Sequence, residues 1–349
     1  MRTRLRDVAA QAGVSVKTVS NVVNGYVHVS PATRARVQAV IDETGYRPNV
    51  TARNLRSGRT GVIALAVPEL DNPYFAELTR FVVEAAEEHG WTVLIDQTDG
   101  LLEREREVAI GFPHQLIDGL ILSPTALGRD DLDGRGPDDL PLVLIGEKQG
   151  TGPHDHVGID NVAAAQAATT HLLELGRRQV AAIGHQPDSS EHSGVAHLRR
   201  RGWEAAHRAA GLPLDEGLLA EVPAFRPEHG ADAMARLLDH GPVPDAAFCF
   251  NDTLALGVLR CLADRGIRVP DEVAVIGLDD VVEGRFAVPR LSTVAPDKRG
   301  IARTAVELLA ARLAAEGSPR EPRDVRVGFE LLARESSVGG GPGQVPRRS

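Results

Sequence analysis

The pattern of apolar and polar positions changes character near residue 60. In residues 5–12, LRDVAAQA, Leu5, Val8, Ala9 and Ala12 recur at helical spacing and predict one buried face. Gly13 ends that helix, because glycine turns through positive φ without a steric cost. Ser15 suits the N-cap of a second helix, VKTVSNVV, in which Val19, Val22 and Val23 form an apolar stripe. Ser30-Pro31 opens a third helix, ATRARVQAVIDET, which Gly45 closes. The first part of the chain is therefore a small three-helix unit, expected over 1–48. Residues 49–60 follow as a hinge whose one large apolar residue is Leu55, too little for a helix to be stable alone.

From residue 61 short apolar runs alternate with helical segments. GVIALAVP, WTVLIDQ, DGLILS, LPLVLIG, VAAIGH, AAFCFN and EVAVIGLDD read as strands, and 162–176, 198–210, 229–239, 252–265 and 298–315 as helices. Such alternation predicts parallel sheets with helices on both faces. Residues 61–335 are too many for one open sheet and predict an α/β core of two lobes. The expected division is an N-lobe over about 61–160 and 291–320 and a C-lobe over about 161–290 and 321–335. The Gly/Pro-rich end, 336–349, is expected to be disordered.

Charge sharpens this division. The chain of 349 residues has a net charge of −9, which by itself argues against a nucleic-acid partner. Residues 1–59, however, hold ten Arg and Lys against three acids, a charge of +7, and the remainder carries −16. A basic head on an acidic body places any polyanion at the head alone. Apolar residues make up 42% of the chain, but no run of about 18 suggests a membrane span, and no signal-peptide pattern opens it, so a cytoplasmic location is expected. Cys249 and Cys261 are too few for a disulfide framework and lack the histidine pairing of a zinc site.

The head has the makings of a helix-turn-helix: small Ala9 at the crossing, Gly13 at the turn, and Val19 and Val22 facing the first helix. The second helix of such a unit enters the major groove, with its N-terminal residues at base edges. The outward positions are Val16, Lys17, Thr18, Ser20 and Asn21. In the core, ligands bind between the lobes at the carboxyl ends of strands. Ser123, Glu147, Asn251, Asp252, Asp279 and Asp280 follow such strands, and Arg199 lies in LRRRGW. A carboxylate, an amide and an arginine around a cleft suit the hydroxyls of a sugar. Asn and Asp after strands also cap helices, so Asn251 and Asp280 each retain that simpler reading.

The strings LRDVAAQAGVSVKTVSNVVNG, VSPATRARVQAVIDETGYRPN and ARNLRSGRTGVIAL closely resemble the LacI/GalR family of bacterial repressors. NPYF, DGLIL, VGIDN, FNDTLALG, VAVIGLDD, PRLSTV and LLARESS continue the likeness to about residue 336. The resemblance implies a helix-turn-helix head on a type I periplasmic-binding-protein-like core, acting as a homodimer on a near-palindromic DNA operator. It implies DNA contacts from Leu5, Ser15, Val16, Lys17, Thr18, Ser20, Asn21, Asn24 and His28. In the hinge it implies contacts from Ala52 and Leu55, the latter wedged into the minor groove. Asn21 departs from the arginine of several relatives; it can pair with adenine but not make the arginine–guanine pair. The resemblance also implies effector contacts from Tyr74, Phe75, Ser123, Glu147, Arg199, Phe225, Asn251 and Asp279, with a sugar as the effector class. Pro296 stands where a relative uses glutamine.

Other signals carry less. His154-Asp155-His156 looks like part of a metal set but sits in what reads as a polar loop, TGPHDHVG. GGGPG at 339–343 has neither the preceding strand nor the following Lys-Ser/Thr of a phosphate loop. No catalytic constellation is recognisable, and neither an enzyme activity nor a cofactor is expected. A sugar-binding receptor without a regulatory role is the competing function; the basic head argues against it.

Overall fold

The structure is a computed structural model that describes residues 3–23, 26, 28–46, 59–111, 116–128, 130–132, 139–146, 154–187, 193–315 and 320–339. The chain divides into two compact units, Met1–Gly61 and Val62–Ser349.

The first unit holds helices Leu5–Ala12, Val16–Val23 and Pro31–Thr44. Gly13 closes the first of them with φ 63°, the left-handed value that makes the turn. Ser15 Oγ accepts the amide of Thr18 at 3.0 Å, and Ser30 Oγ accepts that of Thr33 at 3.3 Å. Both N-caps therefore use a serine oxygen to satisfy a helix-start N–H. Val8, Ala9, Ala12, Val19, Val22, Val37 and Val40 form the buried centre, with Leu5, Val14, Val23, Val29, Ile41 and Tyr46 packed around it. The expected hinge falls outside the described residues over 49–58, Ala52 and Leu55 included.

The second unit contains two six-stranded sheets among the described residues. In chain order the strands are β1 (Val62–Val67), β2 (Thr92–Gln97), β3 (Gly119–Leu122), β4 (Leu142–Ile145), β5 (Asp155–Gly158) and β6 (Val180–His185). They continue with β7 (Leu219–Glu221), β8 (Ala246–Cys249), β9 (Ala274–Leu278), β10 (Ser292–Pro296), β11 (Asp324–Arg326) and β12 (Phe329–Leu332). The N-lobe sheet has the order β11-β5-β4-β3-β1-β2 and the C-lobe sheet β12-β10-β9-β8-β6-β7. The pairs are parallel except β10 with β12. Central strands such as β3, β8 and β9 are buried along their whole length. This is the near-continuous apolar burial of a sheet covered on both faces.

The expected lobe division needs correction at its edges. β10 was expected in the N-lobe, but Ser292–Val294 pair with β9 in the C-lobe sheet, so the chain crosses to the N-lobe only at helix Lys298–Ala314. β11 was expected in the C-lobe, but it pairs with β5 in the N-lobe, through Asp324 beside His156. The expected polar loop TGPHDHVG is likewise corrected: Asp155–Gly158 is a buried strand. Its polar groups are paired, Asp155 with Arg312 Nε at 2.7 Å and His156 Nδ1 with Asp324 Oδ1 at 2.8 Å. The expected disordered tail begins too early. Glu335–Val338 is a short helix whose Ser336 and Ser337 are buried. Ser336 Oγ donates to the Val275 carbonyl at 2.7 Å, and Ser337 Oγ pairs with Ser292 Oγ at 2.7 Å. Residues 340–349 lie outside the described residues.

Candidate functional site

In the core unit a cavity of about 320 Å³ lies between the lobes, at the carboxyl ends of the strands. The N-lobe contributes Glu69 after β1, Asn72, Tyr74 and Phe75 at the start of helix Pro73–Glu88, Asp99 after β2, and Ser123 and Thr125 after β3. The C-lobe contributes Gln186 after β6, Arg199, Phe225, Asn251 after β8 and Asp279 after β9. Seven of the eight sequence-predicted effector residues, Tyr74, Phe75, Ser123, Arg199, Phe225, Asn251 and Asp279, therefore line one cavity. The eighth, Glu147, lies outside the described residues.

Each of these side chains is held by its neighbours. Arg199 is buried on helix Ser193–Ala209. Its Nε donates to Asn161 Oδ1 at 2.9 Å and its Nη1 to the Phe250 carbonyl. Asn251 caps helix Asp252–Asp264, its Oδ1 accepting the Leu254 amide at 2.9 Å. Asn251 therefore both caps a helix and lines the cavity. Asp279 adopts φ 127°, a backbone value that side chains rarely take, at the turn after β9. Asp280 does not line the cavity; it pairs with Arg285 Nη2 and Arg334 Nη2, each at 2.5 Å. Tyr74 and Phe75 meet edge to face at 5.2 Å on the N-lobe, and Phe225 meets Phe250 at 6.5 Å on the C-lobe. Aromatic surface therefore stands on both walls, with carboxylates, amides and hydroxyls between.

The sequence reading missed Glu69, Asn72, Asp99, Thr125 and Gln186. Glu69, Asp99, Thr125 and Gln186 obey the rule used for the others, a polar residue just past a buried strand, so that rule could have found them. Two positioning groups had no such signal. Glu105, fully buried on helix Leu102–Gly111, accepts the amides of Thr125 at 2.7 Å, Ala126 at 3.1 Å and Leu127 at 2.7 Å. It fixes the loop that carries Thr125 into the cavity. Arg226 reaches across the cleft from beside Phe225 to Glu69 Oε1 at 2.8 Å, and Glu69 pushes its guanidinium pKa up.

In the head, Ser15, Val16, Lys17 and His28 are exposed, and Thr18, Ser20 and Asn21 are half-buried along the second helix. Leu5 is half-buried against the head's apolar centre. Asn24 lies outside the described residues. Among the described residues no group of His, Cys, Asp and Glu could hold a metal ion, and no helix is long and apolar enough to cross a membrane.

A helix-turn-helix unit and a two-lobed core with a polar, aromatic-walled cleft define a class of DNA-binding regulators. Residues 4–49 match the bacterial regulatory proteins of the lacI family, and residues 169–337 match a periplasmic binding protein-like domain. The chain is 36% identical over 299 residues to the HTH-type transcriptional regulator DegA of Bacillus subtilis (strain 168), covering 84% of this chain and 87% of DegA. The transcriptional regulator CelR–cellobiose complex is 34% identical with a TM-score of 0.68, covering 96% of this chain and 100% of that one. The lac repressor dimer bound to operator and the anti-inducer ONPF is 25% identical with a TM-score of 0.83, covering 97% of this chain and 100% of that one. The chain belongs to the LacI family of transcriptional regulators.

Proposed function

We propose that this regulator is a repressor that binds a near-palindromic operator as a homodimer and is controlled by a small sugar held between its lobes. The observation that carries the ligand is the 320 Å³ cavity, which gathers aromatic walls and hydrogen-bonding groups from both lobes. Rings that can cover a sugar's apolar face, and carboxylates and amides that can pair its hydroxyls, suit an uncharged polyol. The cellobiose bound in the similar CelR complex supports the same class. Exposed Val16 and Lys17 at the start of the second helix, together with the +7 charge of residues 1–59, support DNA as the head's partner. The operator in the similar lac repressor structure supports it further. A cytoplasmic location follows, because the operator is there.

Exposed apolar side chains support the homodimer. Leu94 and Ile95 stand out on β2, at the edge of the N-lobe sheet, and Phe286 and Val288 are 81% and 93% exposed on the C-lobe. Large apolar groups left in water mark a surface meant to be covered.

The test measures binding to the DNA upstream of the protein's own coding region, by fluorescence anisotropy, with and without cellobiose, glucose and ribose. A shift in affinity of about tenfold with one sugar is the expected coupling. With about six phosphates neutralised per dimer, the log–log salt slope should be roughly −5. A slope near zero overturns DNA binding, and a panel in which no sugar changes the affinity overturns the ligand class.

A further inference from the structure

Lys298 is a buried cation that the proposed function does not use. It is the first residue of helix Lys298–Ala314, immediately after the chain crosses from β10 in the C-lobe to the N-lobe. Its residue is 6% exposed. Its Nζ donates to Glu77 Oε2 at 2.5 Å and to the carbonyl of Asp280 at 3.1 Å. The same Nζ stands 6.0 Å from the centre of the Tyr74 ring.

These three neighbours belong to opposite walls of the cleft. Glu77 and Tyr74 lie one turn apart on helix Pro73–Glu88, the N-lobe helix that brings Tyr74 and Phe75 to the cavity. That helix packs against Lys298–Ala314. Asp280 lies on the C-lobe, directly after the cavity residue Asp279. Asp279 and Asp280 both carry positive φ, 127° and 50°, and such a turn persists only where its surroundings hold it. Arg285 and Arg334 hold the Asp280 side chain, and Lys298 holds its carbonyl. Glu77 depends on Lys298 in turn: its other oxygen, Oε1, is buried and has no hydrogen-bond partner among the described residues. A buried carboxylate in that position is expensive without its cation.

We propose that Lys298 is a positioning residue for effector binding and response, one ammonium that sets the spacing between the Tyr74–Phe75 wall and the Asp279 wall. It touches both walls from behind and does not line the cavity. An effector that draws the walls together or apart moves them about this ammonium, which makes it, beside the Arg226–Glu69 pair, a place where occupancy becomes lobe geometry. The proposal rests on the ligand site described above and adds the residue that links its two sides.

The test uses the full-length protein and two variants, Lys298→Met and Lys298→Met with Glu77→Gln. The single variant leaves Glu77 buried and unpaired, so it can fail to fold; the double variant removes both charges and keeps the experiment decisive. Hydrogen exchange without any ligand is the first arm. In the double variant the amides of 74–78 and of 280–284 should both exchange about tenfold faster, with helix Asn161–Glu174 unchanged. No change, or a change on one wall alone, overturns the link. The second arm is release from operator DNA with cellobiose as the probe. The double variant should bind operator like the parent and need about tenfold more cellobiose for the same release. An unchanged response overturns the positioning role. Equal losses of operator binding and of response overturn it too, because they indicate structural damage. A parent protein that ignores cellobiose counts against that sugar alone, and the exchange arm then decides the role of Lys298.

Discussion

The head and the core solve recognition in opposite ways. Among the described residues the head's buried centre is valine and alanine, seven residues, and its candidate readers Val16 and Lys17 project into solvent. In the core, Ser123, Arg199, Asn251 and Asp279 are all buried, and the structure around them includes fully buried Trp203, Phe248 and Phe250. A reader of DNA meets a partner that supplies its own shape, so short helices and a small core suffice. A reader of a small molecule has to surround it, so each contact must be oriented by a neighbour. Changes in the core should therefore cost stability or ligand response, whereas changes to the head's surface should alter only the choice of DNA.

The largest effect is expected from Trp203→Ala. Trp203 is fully buried on helix Ser193–Ala209, and its Nε1 donates to the Val180 carbonyl of β6 at 2.9 Å. Truncation opens a large cavity and orphans that carbonyl, a loss of about 3–5 kcal/mol. Urea unfolding followed by circular dichroism measures it; a loss below about 1 kcal/mol would mean that the core is far more plastic than its packing implies.

Next in size is a pH dependence set in the core. Asp252 is fully buried at the start of helix Asp252–Asp264 and receives Thr293 Oγ1 at 2.7 Å and the Val281 amide at 2.9 Å. Burial pushes its carboxyl up to about 6, against the usual value near 4. The folded state thus binds a proton that the unfolded chain has released. This contribution is fully present below about pH 4 and is lost as the pH rises through about 6, a change of about 3 kcal/mol. The difference in unfolding free energy between the parent and Asp252→Asn, measured at pH 4.5 and 7.5, should shift in favour of the variant at the higher pH. A difference that does not vary with pH would show that Asp252 stays ionised in the folded protein.

Arg199→Ala comes third. It removes a guanidinium shared among the cavity, Asn161 and the Phe250 carbonyl, and leaves the last two without it. Effector affinity should fall by about 1–3 kcal/mol while operator binding stays intact. Titration of operator complexes with the responding sugar separates the two. Loss of both together would place Arg199 in the scaffold.

How far the sequence reaches follows the same contrast. The head is legible because its signals are local: Gly13 makes the turn, Ser15 and Ser30 cap, and valines recur within one helix. The order of strands and helices in the core is legible for the same reason. What escapes depends on distant partners. β5 looks polar in DHVG because the groups that neutralise Asp155 and His156, Arg312 and Asp324, stand 157 and 168 residues away. β11 spans only three residues, Asp324–Arg326, and its place is set by pairing with β5. Arg199 and Asp279 are legible from their place in the chain and Tyr74, Phe75 and Phe225 only through family likeness, but Glu105 and Arg226 act through a loop and across the cleft, and no spacing in the sequence marks either.

The smallest effect is the sharpest test of the comparison, because it sets two valines of one helix against each other. Val19 is fully buried, and Val16, one turn earlier, is 46% exposed. Replacing Val19 by alanine removes two buried carbon groups and should cost about 2 kcal/mol of head stability. Replacing Val16 removes the same atoms from solvent and should change stability by less than about 0.5 kcal/mol. In the major groove an apolar side chain can meet a thymine methyl, a contact that random DNA presents only by chance. Val16→Ala should therefore weaken operator binding by about 1 kcal/mol and leave binding to random duplex unchanged. Anisotropy with both duplexes, alongside thermal unfolding of the two variants, reads all four quantities. If Val16→Ala weakens operator and random duplex equally, Val16 contributes no choice of sequence. In that case the exposed face of the second helix binds DNA by charge alone, and the choice of operator has to come from Asn21 and its neighbours.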